Sequence, residues 1–222
     1  MNALGLMRGE VVKARVRAAC AAALLGLLAV TLAFPICNEA YPRDEHRFAA
    51  DPNVHHLIEA IMEADVAQVR CLLSNPALDL NALESRGMTP LAHAIVADDR
   101  TGGDSLVTML IEHGADVNRP DEYGHTPLMW SVGLGSERLT ELLLRDGADP
   151  RQCRPDGTTV LHVAAHSEAS ATVARMLLTA GADPLARDRE GKTPAEYAHE
   201  AGLTELAQRL DAPVRARTLV IR

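Results

Sequence analysis

His162 and His166 lie four residues apart in the stretch "HVAAH", a spacing that sets two imidazoles on one helical face where they can hold a zinc ion. In the metalloprotease form of this motif a glutamate directly follows the first histidine and acts as general base. Here that position is Val163. His55 and His56 are adjacent rather than four apart and read as a solvated helix start. The chain has no glycine-rich phosphate loop, no Gly-x-Ser-x-Gly and no paired-cysteine metal spacing. Its Asp and Glu residues recur at fixed intervals, where capping or solvation explains them. The cysteines form no disulfide framework: Cys20 stands in an apolar N-terminal run, Cys71 falls on the apolar face of a helix, and Cys153 lies in a turn far along the chain. These residues predict no catalysis, no cofactor and no bound metal. A metal-dependent hydrolase built on His162 and His166 is the one catalytic alternative.

The elements that position those histidines repeat. Gly-Ala-Asp stands at Gly114, Gly147 and Gly181, with steps of 33 and 34 residues. A second glycine, opening the pattern Gly-x-Thr, stands at Gly87, Gly124, Gly157 and Gly191, with steps of 37, 33 and 34. A fixed period of this length signals a stack of small units, none of which can bury its apolar face alone. In "GHTPLMW", Thr126 suits a helix cap and Pro127 the first helical turn, where an amide would be unpaired anyway. Gly124 allows a positive φ in the preceding turn. "VTMLIEHGAD" reads as a second helix stopped by Gly114, with Asp116 bracing the loop that follows.

Five units follow, starting near residues 53, 87, 124, 157 and 191. The first keeps apolar positions at Ala60, Val69, Leu72 and Leu73 but lacks Thr-Pro, as an end unit should. The second carries four extra residues, which "ADDRTGGDS" places between its two helices, with Gly102 and Gly103 marking a turn. The period and the Thr-Pro-Leu-His-x-Ala motif resemble the ankyrin repeat over about residues 53–213. Ala92 and Met129 replace the motif histidine in the second and third units, His162 keeps it in the fourth, and Val160 there replaces proline.

The resemblance implies an all-α ankyrin-repeat solenoid of helix-turn-helix units with hairpin loops, in which His162 hydrogen-bonds neighbouring backbone. It also implies a protein partner, held by the hairpin tips and the inner helices. The tip positions are Ser85, Arg86 and Met88; Glu122, Tyr123 and His125; Pro155, Asp156 and Thr158; and Arg189, Glu190 and Lys192. Trp130, Leu134 and His166 continue the patch along the inner helices, with Trp130 either packing between adjacent first helices or touching the partner.

The N-terminus is a different kind of sequence. Arg8, Lys13, Arg15 and Arg17 precede an uncharged apolar run from Ala18 to Phe34, which reads as an export signal cleaved after Ala33 or as an uncleaved membrane anchor. Residues 34–52 form a polar linker, and 214–222 a basic tail. Phe34, Pro35 and Ile36 are too bulky to make Cys37 a lipid attachment site. Either reading places the repeats outside the cytoplasm. Arginine far exceeds lysine and alanine is abundant, a hint of a GC-rich bacterium, for which that compartment is the periplasm; a eukaryotic secretory route is the alternative.

Removing residues 1–33 takes away four positive charges and Glu10, moving the net charge from −8 to −11. That acidity argues against nucleic acid and anionic lipid as partners, and leaves membrane contact to the N-terminal segment alone. The functional expectation is a non-catalytic scaffold that binds and neutralises a secreted toxic enzyme. The alternative is an accessory protein assisting a periplasmic enzyme, as in oxidative-stress defence.

Overall fold

A computed structural model describes residues 52–84, 86–101, 105–167 and 171–211, with the side chains of 99–101 and 105 outside the description. The expected export segment, Ser85, Gly102, Gly103 and the basic tail therefore lie outside the described residues. Ten helices stand among the described residues: α1 (Pro52–Met62), α2 (Val66–Leu73), α3 (Pro90–Thr101), α4 (Ser105–Glu112), α5 (Pro127–Gly133), α6 (Glu137–Arg145), α7 (Val160–His166), α8 (Ala171–Thr179), α9 (Pro194–Glu200) and α10 (204–211). The first helices pack in one row, α1–α3–α5–α7–α9, and the second helices lie in another, with α2 packed on α4 and α6 on α8.

Local chemistry sets each start and stop. The Thr89, Thr126 and Thr193 hydroxyls accept the Ala92, Met129 and Glu196 amides at 3.2, 3.2 and 3.3 Å. Pro127 and Pro194 follow their threonine caps directly, where no amide is needed. Gly114, Gly147 and Gly181 end the second helices with φ of +95°, +92° and +97°. Just beyond, the Asp116 carboxylate accepts the Asn118 amide at 2.8 Å, bracing the loop as its sequence position suggests.

The core runs continuously between the two helix rows. Leu57, Ile61, Leu91, Ile95, Leu106, Leu110, Leu128, Leu139, Leu143, Leu161 and Leu177 are all fully buried. The outward side of α1 carries His55, His56 and Glu59, all exposed, so the end unit presents a polar face to solvent. No described helix is long and apolar enough to cross a membrane.

Two expectations need correction. Cys71 is exposed rather than on the apolar face, because α2 buries Val69 and Leu73 and turns the residue midway between them outward. The extra residues of the second unit do not all go into a turn. They lengthen α3 to 12 residues, against 7 in α5 and α7.

Candidate functional site

Four hairpins project between the units, each closed by the same two main-chain bonds. In the third unit the Asp121 amide donates to the His125 carbonyl at 2.9 Å and the Gly124 amide to the Asp121 carbonyl at 3.0 Å. Glu84–Met88, Arg154–Thr158 and Asp188–Lys192 repeat the pattern. Gly124 has φ of +84°, and a Cβ there would sit 2.6 Å from Pro155 Cδ of the next hairpin. Glycine is required both by the turn and by the neighbour's approach.

The hairpin's first residue also orients the inner helix. The Asp121 carboxylate accepts the Tyr123 amide at 2.9 Å, the His125 amide at 2.8 Å and the Trp130 indole N–H at 3.1 Å. Nine residues separate Asp121 from Trp130, and the same interval joins Asp188 to the Tyr197 hydroxyl (2.6 Å) and Glu84 to His93 Nε2 (3.2 Å). An acid at the base of the hairpin thus fixes a ring on the inner helix in three of the four hairpin units. In the remaining unit the pair is Arg154 and Val163. Tyr197 lies against His166 with ring centroids 4.6 Å apart and the planes tilted by 47°, and Lys192 Nζ lies 5.0 Å from the Tyr197 ring while donating to Glu200 at 2.8 Å. Burial and the hydrogen bond to Asp188 both push the Tyr197 hydroxyl above the usual phenol range, so it stays a donor.

Most of the expected tip residues do face solvent. Arg86, Glu122, Pro155, Arg189 and Glu190 are exposed, and Tyr123, Asp156, Thr158 and Lys192 are half-buried. On the inner helices His166 is exposed, while Trp130 and Leu134 are half-buried and pack against Met88, Ala92 and Val96 of the second unit. Trp130 therefore serves the joint between units with one part of its surface and leaves another part open.

Met88 and His125 correct the expectation that every tip residue is presented. Met88 is 6% exposed and His125 8% exposed. In these two hairpins the residue after the turn glycine points back into the stack: Met88 meets Trp130, and the His125 ring sits 5.4 Å from Trp130 and beside the Asp121 carboxylate. Tyr197, absent from the expected patch, belongs to it. It holds the register of Trp130, the position just after the motif histidine, and that register was the available signal.

His162 is committed to structure. Its Nδ1 accepts the Thr159 amide at 3.1 Å, and Nε2 donates to the Lys192 carbonyl at 3.1 Å, which assigns the proton to Nε2. Burial lowers its pKa below the usual histidine range, keeping it neutral. His166 turns Nδ1 onto the His162 carbonyl at 3.0 Å. Both nitrogens of the would-be first zinc ligand are used, and no cluster of three or more His, Cys, Asp or Glu able to hold a metal occurs among the described residues.

Comparison with known proteins follows the same repeat. Residues 57–152 match the family model for ankyrin repeats in three copies, and residues 142–198 the model for ankyrin repeats in many copies. The chain belongs to the ankyrin-repeat family. It is 36% identical over 95 residues to the ankyrin repeat protein YahD of Escherichia coli, covering 41% of this chain and 46% of that protein. It is 35% identical over 126 residues to human cyclin-dependent kinase inhibitor 2A, covering 56% of this chain and 80% of that protein. Over 178 residues it is 30% identical to the E3 ubiquitin-protein ligase KEG of Arabidopsis thaliana, covering 75% of this chain and 11% of that protein. The chain thus spans less than half the length of YahD and about a tenth of KEG. An array of this family is a protein-binding scaffold.

Proposed function

We propose that this ankyrin-repeat protein works outside the cytoplasm, where it binds and neutralises a secreted toxic enzyme through its hairpin tips and inner-helix rings. The observation that carries the reading is the division of labour within each unit. Consensus residues close the core, whereas Glu122, Tyr123, Trp130, Arg189, Glu190 and Tyr197 stay open on prealigned hairpins and rings. Their order before binding limits the entropy lost on association. The basic start and apolar run of residues 8–34 support export, and the acidity of the remainder favours a basic target. Cyclin-dependent kinase inhibitor 2A, similar over most of its length, is by its name an inhibitor of an enzyme.

The test is capture of secreted and periplasmic proteins of the source organism on the immobilised protein, followed by activity assays of whatever is retained. A stoichiometric enzyme whose activity falls on binding is the expected result, with Glu122→Arg and Arg189→Glu together weakening binding by roughly 100-fold. An enzyme bound without loss of activity would replace neutralisation by an accessory role. Retained binding in the double variant would move the interface off the tips.

A further inference from the structure

Three kinds of tie join the hairpin side of one unit to the next: a main-chain bond between hairpins, a histidine bond, and a ring laid over the preceding inner helix. Between the fourth and fifth units all three are present. The Arg189 amide donates to the Asp156 carbonyl at 2.8 Å, and His162 Nε2 donates to the Lys192 carbonyl at 3.1 Å. The Tyr197 ring, held by Asp188, lies 5.9 Å from His162 and 4.6 Å from His166. Between the second and third units two are present. The Glu122 amide donates to the Gly87 carbonyl at 2.9 Å, and Trp130, held by Asp121, packs against Met88, Ala92 and Val96.

The joint between the third and fourth units can form none of the three. Pro155 stands where Glu122 and Arg189 supply an amide, Met129 where His162 supplies a ring nitrogen, and Val163 where Trp130 and Tyr197 supply a ring. The two hairpins meet by contact instead, so closely that a Cβ on Gly124 would fall 2.6 Å from Pro155 Cδ. A side-chain bond crosses beside that contact, from Arg154 Nε to the Tyr123 carbonyl at 3.3 Å.

The opposite edge of the same joint is firmly held. Asn118 accepts the Asp149 amide at 2.7 Å and donates to the Gly147 carbonyl at 3.0 Å. Helix α6 packs on α8, and α5 on α7. At the C-terminal end of α7, away from the hairpins, the Ser167 hydroxyl donates to the Val132 carbonyl at 3.1 Å. In a stack each unit touches only its neighbours, so no distant contact reinforces a joint that is loose on one side.

We propose that the joint between the third and fourth units is a hinge. It opens on the hairpin side, pivoting on the Asn118 clamp and the packed helices, and divides the array into a body of three units and a body of two. Within each body the hairpins keep their alignment, so Arg86 moves with Glu122, and Asp156 with Arg189. Opening parts Tyr123 from Pro155 and sets the spacing between the two groups of tips. The hinge is a property of the chain alone and holds whether or not a partner binds at the tips.

The test is measurement of amide residual dipolar couplings on the full chain in weak alignment, with the units fitted separately and together. The couplings of the two bodies should differ in scale by about 15% or more, the reduction expected when an order parameter falls from about 0.85 to about 0.6. The break should fall between α6 and α7. Pro155→Glu with Met129→His, which restores the amide and the ring nitrogen, should bring the two bodies to one scale. A single alignment tensor fitting all five wild-type units overturns the proposal, as does a break at another joint. That measurement decides the matter even if the double variant does not fold. An undiminished break in a folded double variant would also overturn it, because the looseness would then not come from these residues.

Discussion

In the third unit Asn118, Asp121, Glu122 and Trp130 each reach a neighbouring group, whereas the fourth unit has Arg151, Arg154, Pro155 and Val163 in the same register. The Asn118 side chain accepts the Asp149 amide at 2.7 Å and donates to the Gly147 carbonyl at 3.0 Å, stapling its loop to the next. Arg151 instead folds back onto Asp149 of its own loop, with Nε 3.2 Å from Oδ1. The Glu122 amide donates to the Gly87 carbonyl of the preceding hairpin at 2.9 Å. Pro155 has no amide, and the gap is bridged by Arg154 Nε donating to the Tyr123 carbonyl at 3.3 Å. Two units with one backbone therefore differ in how they hold their neighbours. The residues that build a unit are separable from those that couple it to the next, and in the fourth unit side-chain bonds replace main-chain ones.

The largest expected contrast lies at the hairpin base. Asp121→Ala leaves the Tyr123 amide, the His125 amide and the Trp130 indole N–H without their acceptor, and should cost about 3 kcal/mol in urea unfolding. Arg154→Ala removes one side-chain tie to the Tyr123 carbonyl and a pairing with Asp156, and should cost about 1 kcal/mol. Equal costs would mean that the base residue is not the organiser of the hairpin, and the contrast between the units would fail.

A smaller contrast lies on the loop side. Asn118→Ala loses both bonds to the following loop and should cost about 1.5 kcal/mol. Arg151→Asn restores to the fourth unit the residue type that staples the third, and should add about 0.5 kcal/mol by providing an acceptor for the Asp183 amide. A destabilised Arg151→Asn would show that loop spacing, not residue type, withholds the staple there.

What the sequence made legible follows the range of each interaction. Thr126, Pro127, Gly124 and Gly114 act within a few residues of their own positions, so their roles could be read from the chain alone. His162 was also legible, because its partners are fixed by its place in the repeat. Met88 and His125 were misplaced for the opposite reason. They stand beside the turn in sequence, but their side chains point to Trp130, whose position only the stack determines. Cys71 shows the same limit on a short helix, where two buried residues leave the one between them facing out. The nine-residue link from acid to ring was visible as spacing but has no meaning until hairpin and helix are seen together. The burial of Asp98 could not be foreseen, since the added residues gave no sign that α3 would lengthen and carry a carboxylate inward.

The smallest effect concerns the first unit, which the same comparison reaches from another side. Between its two helices Ala64 has φ of +54°, the one non-glycine residue with positive φ among those described. The third and fifth units turn the corresponding corner with glycine, at Gly135 (φ +70°) and Gly202 (φ +74°). An L-residue in this region brings its Cβ against its own backbone, at a cost of about 1–2 kcal/mol, and glycine gives part of that back through its greater freedom in the unfolded chain. Ala64→Gly should therefore raise stability by about 0.5–1 kcal/mol, measured by urea unfolding. The Asp65 cap on the Gln68 amide, at 2.9 Å, should persist in the variant, because the turn that presents it is relaxed rather than rebuilt. A loss of stability would mean that the Ala64 methyl packs well enough to outweigh its backbone strain, and that the first unit tolerates a conformation the later units leave to glycine.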